Sequence, residues 1–356
     1  MTGNPGEQVV LVLSAEFVLK SSPVRRTLEQ RLIDDLRFAL RNVNIKNFTI
    51  DKTAGRIIVK GIHDPQLAAQ TITRVFGVAY AIPATCINAS MDSVLAAIQQ
   101  IAMQALNSAQ SFAIRCHGGH STAGISSREV EKKAGSQILS LLADLGIRVD
   151  LDHPDLVISV DLVGEVAYVY TTRLQGPGGL PLSSHWKMLG ILDSPLSLFA
   201  AYMMMRRGCL TQLLIPCSSA GMLFQKDRQI ALARKLRRFV TRESYPGFIL
   251  ELDEKSQSIS FIRRKAIDFA REHRFRGVVF SDVRGSIAFD VSVSRRATEL
   301  GLPLFYPLIG FDDADLSRLG RLLDVDWRES LDVSAQFEST VDDSDLHTVT
   351  ITEVLL

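Results

Sequence analysis

Two rhythms of apolar and polar positions run along this chain. Gln8 to Leu13 (QVVLVL) is a short β-rich apolar run, and Pro23 to Leu40 places Leu28, Leu32, Ile33, Leu36 and Leu40 at helical spacing with charges between them. Phe48–Asp51 and Arg56–Val59 read as strands around a turn at Thr53-Ala54-Gly55, and Leu67 to Val75 is helical again. That order predicts a ferredoxin-like α+β domain over residues 1–84.

Residues 85–174 predict a second α/β domain. Val94–Ala105 is amphipathic, Ser111–Arg115 is a strand, and Ser126 with Glu129 offers a capping box for a helix reaching Leu145. Val157–Val163 and Ala167–Thr172 pair across a Gly164-Glu165 turn. Residues 175–186, QGPGGLPLSSHW, form a turn-rich linker.

Over 187–331 the rhythm alternates. The β-like runs Leu213–Ile215, Gly247–Leu250, Gly277–Phe280 and Leu304–Tyr306 are separated by helical segments Ser197–Arg207, Lys226–Thr241, Ser256–His273 and Val291–Leu300. Alternation predicts a doubly wound parallel sheet, which binds ligands where strand order reverses. Residues 332–356 read as an acidic tail without period. Met188–Met205 is apolar enough to ask for a membrane span, but Gly190, Asp193 and Pro195 argue for a buried strand end, a turn and a helix. The Met203-Met204-Met205 run reads as core packing.

Net charge is only +1, so overall charge does not announce a polyanion binder. Local charge is uneven. Lys226–Arg242 carries seven basic residues, and the chain from Phe311 onward carries twelve acidic residues against three basic ones. The basic segments Lys226–Arg242 and Arg263–Arg276 are candidates for an RNA-facing surface, against the plainer reading of solvated helix faces. Cys86, Cys116, Cys209 and Cys217 have no CxxC spacing, which predicts neither disulfides nor a metal site and fits a reducing cytoplasm. Residues 1–8, MTGNPGEQ, do not read as a signal peptide.

The linker string GPGGLP resembles the connector of the 4-thiouridine synthase family, tRNA sulfurtransferases with a THUMP domain. AEFVLKSSPVRR is similar to that family's opening motif, with Ala15 where glycine is expected and Glu16, Leu19, Lys20 and Arg26 in place. RVFGVAYAIPA, FAIRCHGGHSTAGISSREVEKKAGSQIL, HPDLVISVDLVGEVAYVYTTRLQGPGGLP and LFYPLIGFDDADLSRLGRLL extend the likeness in order from about Gln8 to Leu323. The resemblance implies a ferredoxin-like domain, a THUMP RNA-binding domain and a PP-loop domain like the adenine nucleotide hydrolases. It also implies tRNA or another structured RNA as partner, a homodimer, and ATP with Mg as cofactor. Lys20, Arg26, Arg115, His117, Arg128, Lys132, Lys133 and Arg173 are its candidate RNA contacts, with His120 and the backbone of Gly118 and Gly119 beside them.

The family's loop, SGGxDSP, cradles ATP phosphates so that a uridine oxygen is adenylated before sulfur displaces it. Here the string is LGILDSP. Gly190, Asp193 and Ser194 keep the pattern and are the candidate nucleotide contacts, with Gly285 of SDVRGSIAFD standing for a later TGExxGQ-like string. Leu189 and Ile191 replace a serine and a glycine, removing a donor and placing a β-branched side chain where phosphate belongs. The family's sulfur-carrying cysteine has no counterpart after Cys217. Two functions are therefore expected. One is an RNA-binding, non-catalytic or accessory pseudoenzyme that works beside an intact paralogue, with no catalytic residue of its own. The alternative is an active ATP-dependent tRNA sulfurtransferase with an altered loop and an external sulfur donor.

Overall fold

In a computed structural model, residues 6–14, 16, 20–53, 56–106, 111–118, 124–218, 225–253, 258–284, 290–328 and 350–356 are described. They fall into two compact units. The first comprises residues 1–18, 36–74 and 78–178, and the second residues 19–35, 75–77 and 179–356.

The elements of the first unit follow the predicted order. They are β1 (Gln8–Leu13), α1 (Ser22–Asn42, shared with the second unit), β2 (Thr49–Thr53), β3 (Arg56–Lys60), α2 (Pro65–Ile72) and β4 (Tyr80–Asn88). Next come α3 (Met91–Ala105), β5 (Ser111–His117), α4 (Ser127–Leu141), β6 (Arg148–Val149), β7 (Leu156–Val163), β8 (Val166–Tyr170) and β9 (Leu174–Gln175). The five α1 residues picked out by periodicity are all buried. Local chemistry fixes the helix starts. Pro65 opens α2 behind Asp64, whose carboxylate accepts from the Leu67 N–H at 2.9 Å, and Ser90 caps α3 through the Ser93 N–H at 3.2 Å. The expected capping box on α4 is absent. Ser126 makes no side-chain cap, and Glu129 instead pairs with Lys133 at 2.7 Å, one turn on.

Sequence predicts two separate domains here, yet their strands join one sheet in the order β2-β3-β1-β4-β8-β7-β5-β6, with β9 also pairing β4. β4 is the hinge of the arrangement, antiparallel to β1 on one side and to β8 and β9 on the other. Pro83 lies in its middle, where a proline should not be tolerated. Register explains it. Cys86 N–H donates toward β1, to Glu7 O at 2.9 Å, so even-numbered residues bond β1 and odd-numbered ones face away. On that far side β9 stops at Ala81 and β8 begins at Thr85, so the missing N–H of Pro83 falls in the gap.

The second unit contains β10 (Lys187–Ile191), α5 (Leu196–Arg206), β11 (Leu210–Ser218), α6 (Lys226–Arg234), β12 (Pro246–Leu252), α7 (Ile259–Glu272), β13 (Val278–Val279), α8 (Val291–Glu299), β14 (Leu304–Phe305), α9 (Asp313–Leu323) and β15 (Ile351–Leu355). Sheet order is β14-β13-β10-β11-β12-β15, parallel except for β15. Chain order thus reverses between β10 and β13, the switch point of a doubly wound sheet. α5 is buried along most of its length, with Met204 and Met205 in the core. Among the described residues no helix is long and apolar enough to cross a membrane.

Three expectations change. The stretch read as an acidic tail ends in β15, which pairs antiparallel with β12 from Ile351↔Leu250 to Leu355↔Pro246. The linker is packed rather than loose: Gly179 has φ +73, and a Cβ there would lie 2.0 Å from Arg206 O. In the basic segment Lys226–Arg242 three of the seven basic side chains are engaged with the fold, while Lys226, Arg228, Arg234 and Arg242 are exposed. Arg237 donates to Val240 O at 2.8 Å and Arg242 O at 2.9 Å, Arg238 binds Leu322 O, and Lys235 pairs with Asp324 at 3.1 Å.

Candidate functional site

The switch point holds a compact polar cluster. β10 delivers Asp193 just past its carboxyl end, β13 delivers Ser281 and Asp282 past its own, and α5 brings Ser197 from its first turn. Ser197 and Ser281 hydroxyls donate to Asp193 Oδ1 at 2.8 and 3.0 Å. Arg263, at the start of the second turn of α7, reaches between the two carboxylates: 3.4 Å to Asp193 Oδ2 and 3.0 Å to Asp282 Oδ2. Its guanidinium also lies 4.6 Å above the Phe280 ring. Asp193 and Asp282 are each 7% exposed.

Burial works against the charge on Arg263, but the two carboxylates outweigh it and hold its pKa above the ordinary value. Asp282 moves up instead, because burial exceeds the opposing pull of Arg263. The cluster therefore holds one cation shared by two carboxylates. Arg263 Nε is buried without a partner, so the guanidinium is held by its two other nitrogens.

Three of the four nucleotide candidates can be placed. Asp193 is in the cluster. Ser194 stands beside it, its hydroxyl 3.2 Å from that of Ser281. Gly190 lies within β10, opposite Leu213 of β11 and Val279 of β13, so the loop begins later than its motif suggests. Leu189 and Ile191 explain this. Both are buried in the apolar core with Phe248, Phe269 and Phe280, which extends the strand through them. Gly285 lies outside the described residues. Arg263 was not anticipated individually. Its signal was available, since it stands three, four and seven residues before the buried Ala266, Ile267 and Ala270, inside the apolar stripe of α7.

The RNA candidates do not form one cluster. Lys20 and Arg26 are exposed and belong to the second unit, the other six to the first. Arg115 donates to Leu151 O, Lys133 pairs with Glu129, and Arg173 lies 4.9 Å above the Tyr80 ring. Arg128 and Lys132, one turn apart on α4, are exposed and have no ion pair among the described residues. His117 is exposed at the end of β5, and the β5–β6 register adds Arg148 to its face. Gly118 (φ +131) is pinned against Leu162 O, and Gly119 and His120 lie outside the described residues.

All four cysteines are free and buried. Burial pushes the Cys86 and Cys217 thiols up to about 11, and raises those of Cys116 and Cys209 as well. None is a thiolate at neutral pH. We expect no reaction with DTNB in the native protein and reaction of all four in denaturant; a fast native thiol would contradict the placement.

Residues 9–81 match the ThiI ferredoxin-like domain, and residues 88–172 match the THUMP domain. A Methanosarcina mazei protein named "Probable tRNA sulfurtransferase" is 29% identical, covering 90% of this chain and 84% of that one. A Methanocaldococcus jannaschii protein of the same name is 28% identical, with coverages of 88% and 87%. The chain is thus similar along most of its length to tRNA sulfurtransferases, and carries a ThiI ferredoxin-like domain and a THUMP domain. Solved structures agree in fold. A 4-thiouridine synthetase, crystallised with RNA and bound ATP, superposes with a TM-score of 0.72 at 19% identity over 93% of this chain and 87% of that one. A Pyrococcus horikoshii protein gives 0.70 at 24% identity, over 89% of this chain and all of the other. The chain thus has a ferredoxin-like domain, a THUMP domain and an α/β parallel-sheet domain.

Proposed function

We propose that this chain is a member of the tRNA sulfurtransferase family that binds tRNA or another structured RNA through its ferredoxin-like and THUMP domains, and that its third domain no longer activates the RNA. The observation that carries this reading is Arg263 lodged between Asp193 and Asp282. A Mg–ATP site needs a carboxylate free to meet the cation and a loop able to wrap phosphate. Here both Asp193 oxygens are engaged, by Ser197 and Ser281 on one side and by Arg263 on the other. The stretch that should supply the loop is buried strand at Leu189 and Ile191. As they stand, these residues do not fit Mg–ATP. In this proposal the chain acts as a homodimer or beside an intact paralogue that performs the sulfur chemistry.

Active thiolation, the second reading, is favoured by one observation. The Ser194 and Ser281 hydroxyls still face each other at the start of α5. It requires nucleotide to displace Arg263 from Asp193. Filter retention of unmodified tRNA separates the two. We expect retention that Mg–ATP leaves unchanged. Retention that appears only with Mg–ATP would favour the active enzyme.

A further inference from the structure

The amino ends of the β10, β11 and β13 strands carry a feature that the switch-point cluster does not use. Trp186, immediately before β10, is 62% exposed, whereas the other tryptophan, Trp327, is 6% exposed. Register sets its neighbours. Lys187 pairs with Leu210 at the start of β11, and His185 N–H donates to Gly208 O at 3.0 Å, which brings the Arg206-Arg207 turn alongside. On the other side Arg276 N–H donates to Lys187 O at 2.9 Å, placing the Arg274–Arg276 segment there. Arg206, Arg207, Arg274 and Arg276 are all exposed, and none has an ion pair among the described residues. The acids at this end are Glu272, exposed after Arg271, Glu353, which acts on Lys187, and, farther out along the sheet, Glu243 before β12 and Glu299 before β14, the last paired with Arg296. Lys187 is itself turned over the Phe275 ring at 4.4 Å. Four exposed guanidinium groups without an ion pair among the described residues therefore stand on the backbone segments that flank one exposed indole, with positive charge in excess.

We infer that this surface binds a single-stranded RNA segment, with a base stacked on Trp186 and phosphates met by the flanking arginines. An indole offers a π-face to any base, and guanidinium groups meet phosphate with paired donors. Duplex RNA stacks its base faces away and would satisfy only the arginines. An acidic peptide would likewise leave the indole without a partner. The surface lies before one end of β10 and the Asp193 cluster beyond the other, and the strand between them alone spans about 17 Å at its ordinary rise, so it is a separate contact. This inference rests on the RNA-binding reading and adds a site on the third domain.

The test uses tryptophan emission. Trp327→Phe leaves Trp186 as the sole tryptophan. Titration with an oligouridine should quench its emission saturably, and Arg206→Glu with Arg207→Glu should weaken the apparent affinity by about tenfold or more. Trp186→Ala should weaken oligouridine retention on filters by about tenfold. If Trp327→Phe fails to fold, protection of Trp186 from iodide quenching in the unmodified protein gives the same readout. The quench should survive Arg128→Gln with Lys132→Gln, which separates this surface from the THUMP contacts. Emission unchanged at saturating oligouridine would overturn the inference. So would equal quenching by heparin or polyglutamate, which carry charge but no bases.

Discussion

Replacing Arg263 with methionine lowers stability by about 3–5 kcal/mol at neutral pH, the cost of leaving buried charge without its partner. Asp193 and Asp282 are each 7% exposed, and the guanidinium is the cation that both share. Neither carboxylate has another cation within ion-pair distance among the described residues. The loss depends on pH, and its sign follows from Asp282. Burial already holds that carboxyl above its ordinary value, with Arg263 opposing. Without Arg263 it rises further. A carboxyl whose folded pKa is raised favours the fold when protonated and loses that advantage as pH climbs past its unfolded value near 4. The variant should therefore be most stable in mild acid and weaken toward neutrality more steeply than the parent. Arg263→Lys keeps the charge but loses the paired geometry and should cost less. Adding Asp193→Asn and Asp282→Asn to Arg263→Met should recover most of the loss. Urea midpoints across pH measure all four proteins, and a methionine variant as stable as the parent at pH 7 would remove the cluster from the account.

Exchanging Arg128 and Lys132 together for glutamine lowers RNA affinity by about 10- to 100-fold near physiological salt, through two lost phosphate contacts. Both side chains are exposed on one face of α4 and unpaired among the described residues. The slope of log affinity against log salt should flatten by about two, roughly one per contact. Lys133→Gln is the internal control. Its ammonium is 2.7 Å from Glu129, so its removal should change the slope little. Folding stability should stay within about 0.5 kcal/mol, as for exposed positions elsewhere. Unchanged affinity and slope in the double variant would move the RNA contact off α4.

How much of this was legible beforehand differs by region. The long amphipathic α1 declared itself because burial on one side leaves an unbroken period, and β7 and β8, buried on both faces, declared themselves as β-rich runs on either side of the Gly164-Glu165 turn. β6 and β9 are two residues each, too short to show a period, whereas β13 and β14, equally short, were marked by the apolar runs around them. The C-terminal strand was hidden differently. ITEVL does not alternate, and the acids around residues 332–345 dominated the composition of the tail. At the candidate site, Asp193 and Ser194 were visible from the motif and Arg263 was not. It was counted as one of six basic residues in Arg263–Arg276, a run that suggested a charged surface. Its place in the apolar stripe of α7 said otherwise, because an arginine there must be buried with a carboxylate. The same run also contains Arg274 and Arg276, which are exposed. One stretch of charge thus serves the interior at one end and solvent at the other, and composition does not separate the two.

The central claim is that Arg263 has closed the switch-point site to nucleotide. Release of AMP from radiolabelled ATP tests it most directly, with unmodified tRNA and sulfide present and the Methanosarcina mazei relative run alongside. The account predicts no AMP above background from this chain under conditions where the relative produces it. RNA-dependent AMP from this chain would contradict the account and return the third domain to catalysis.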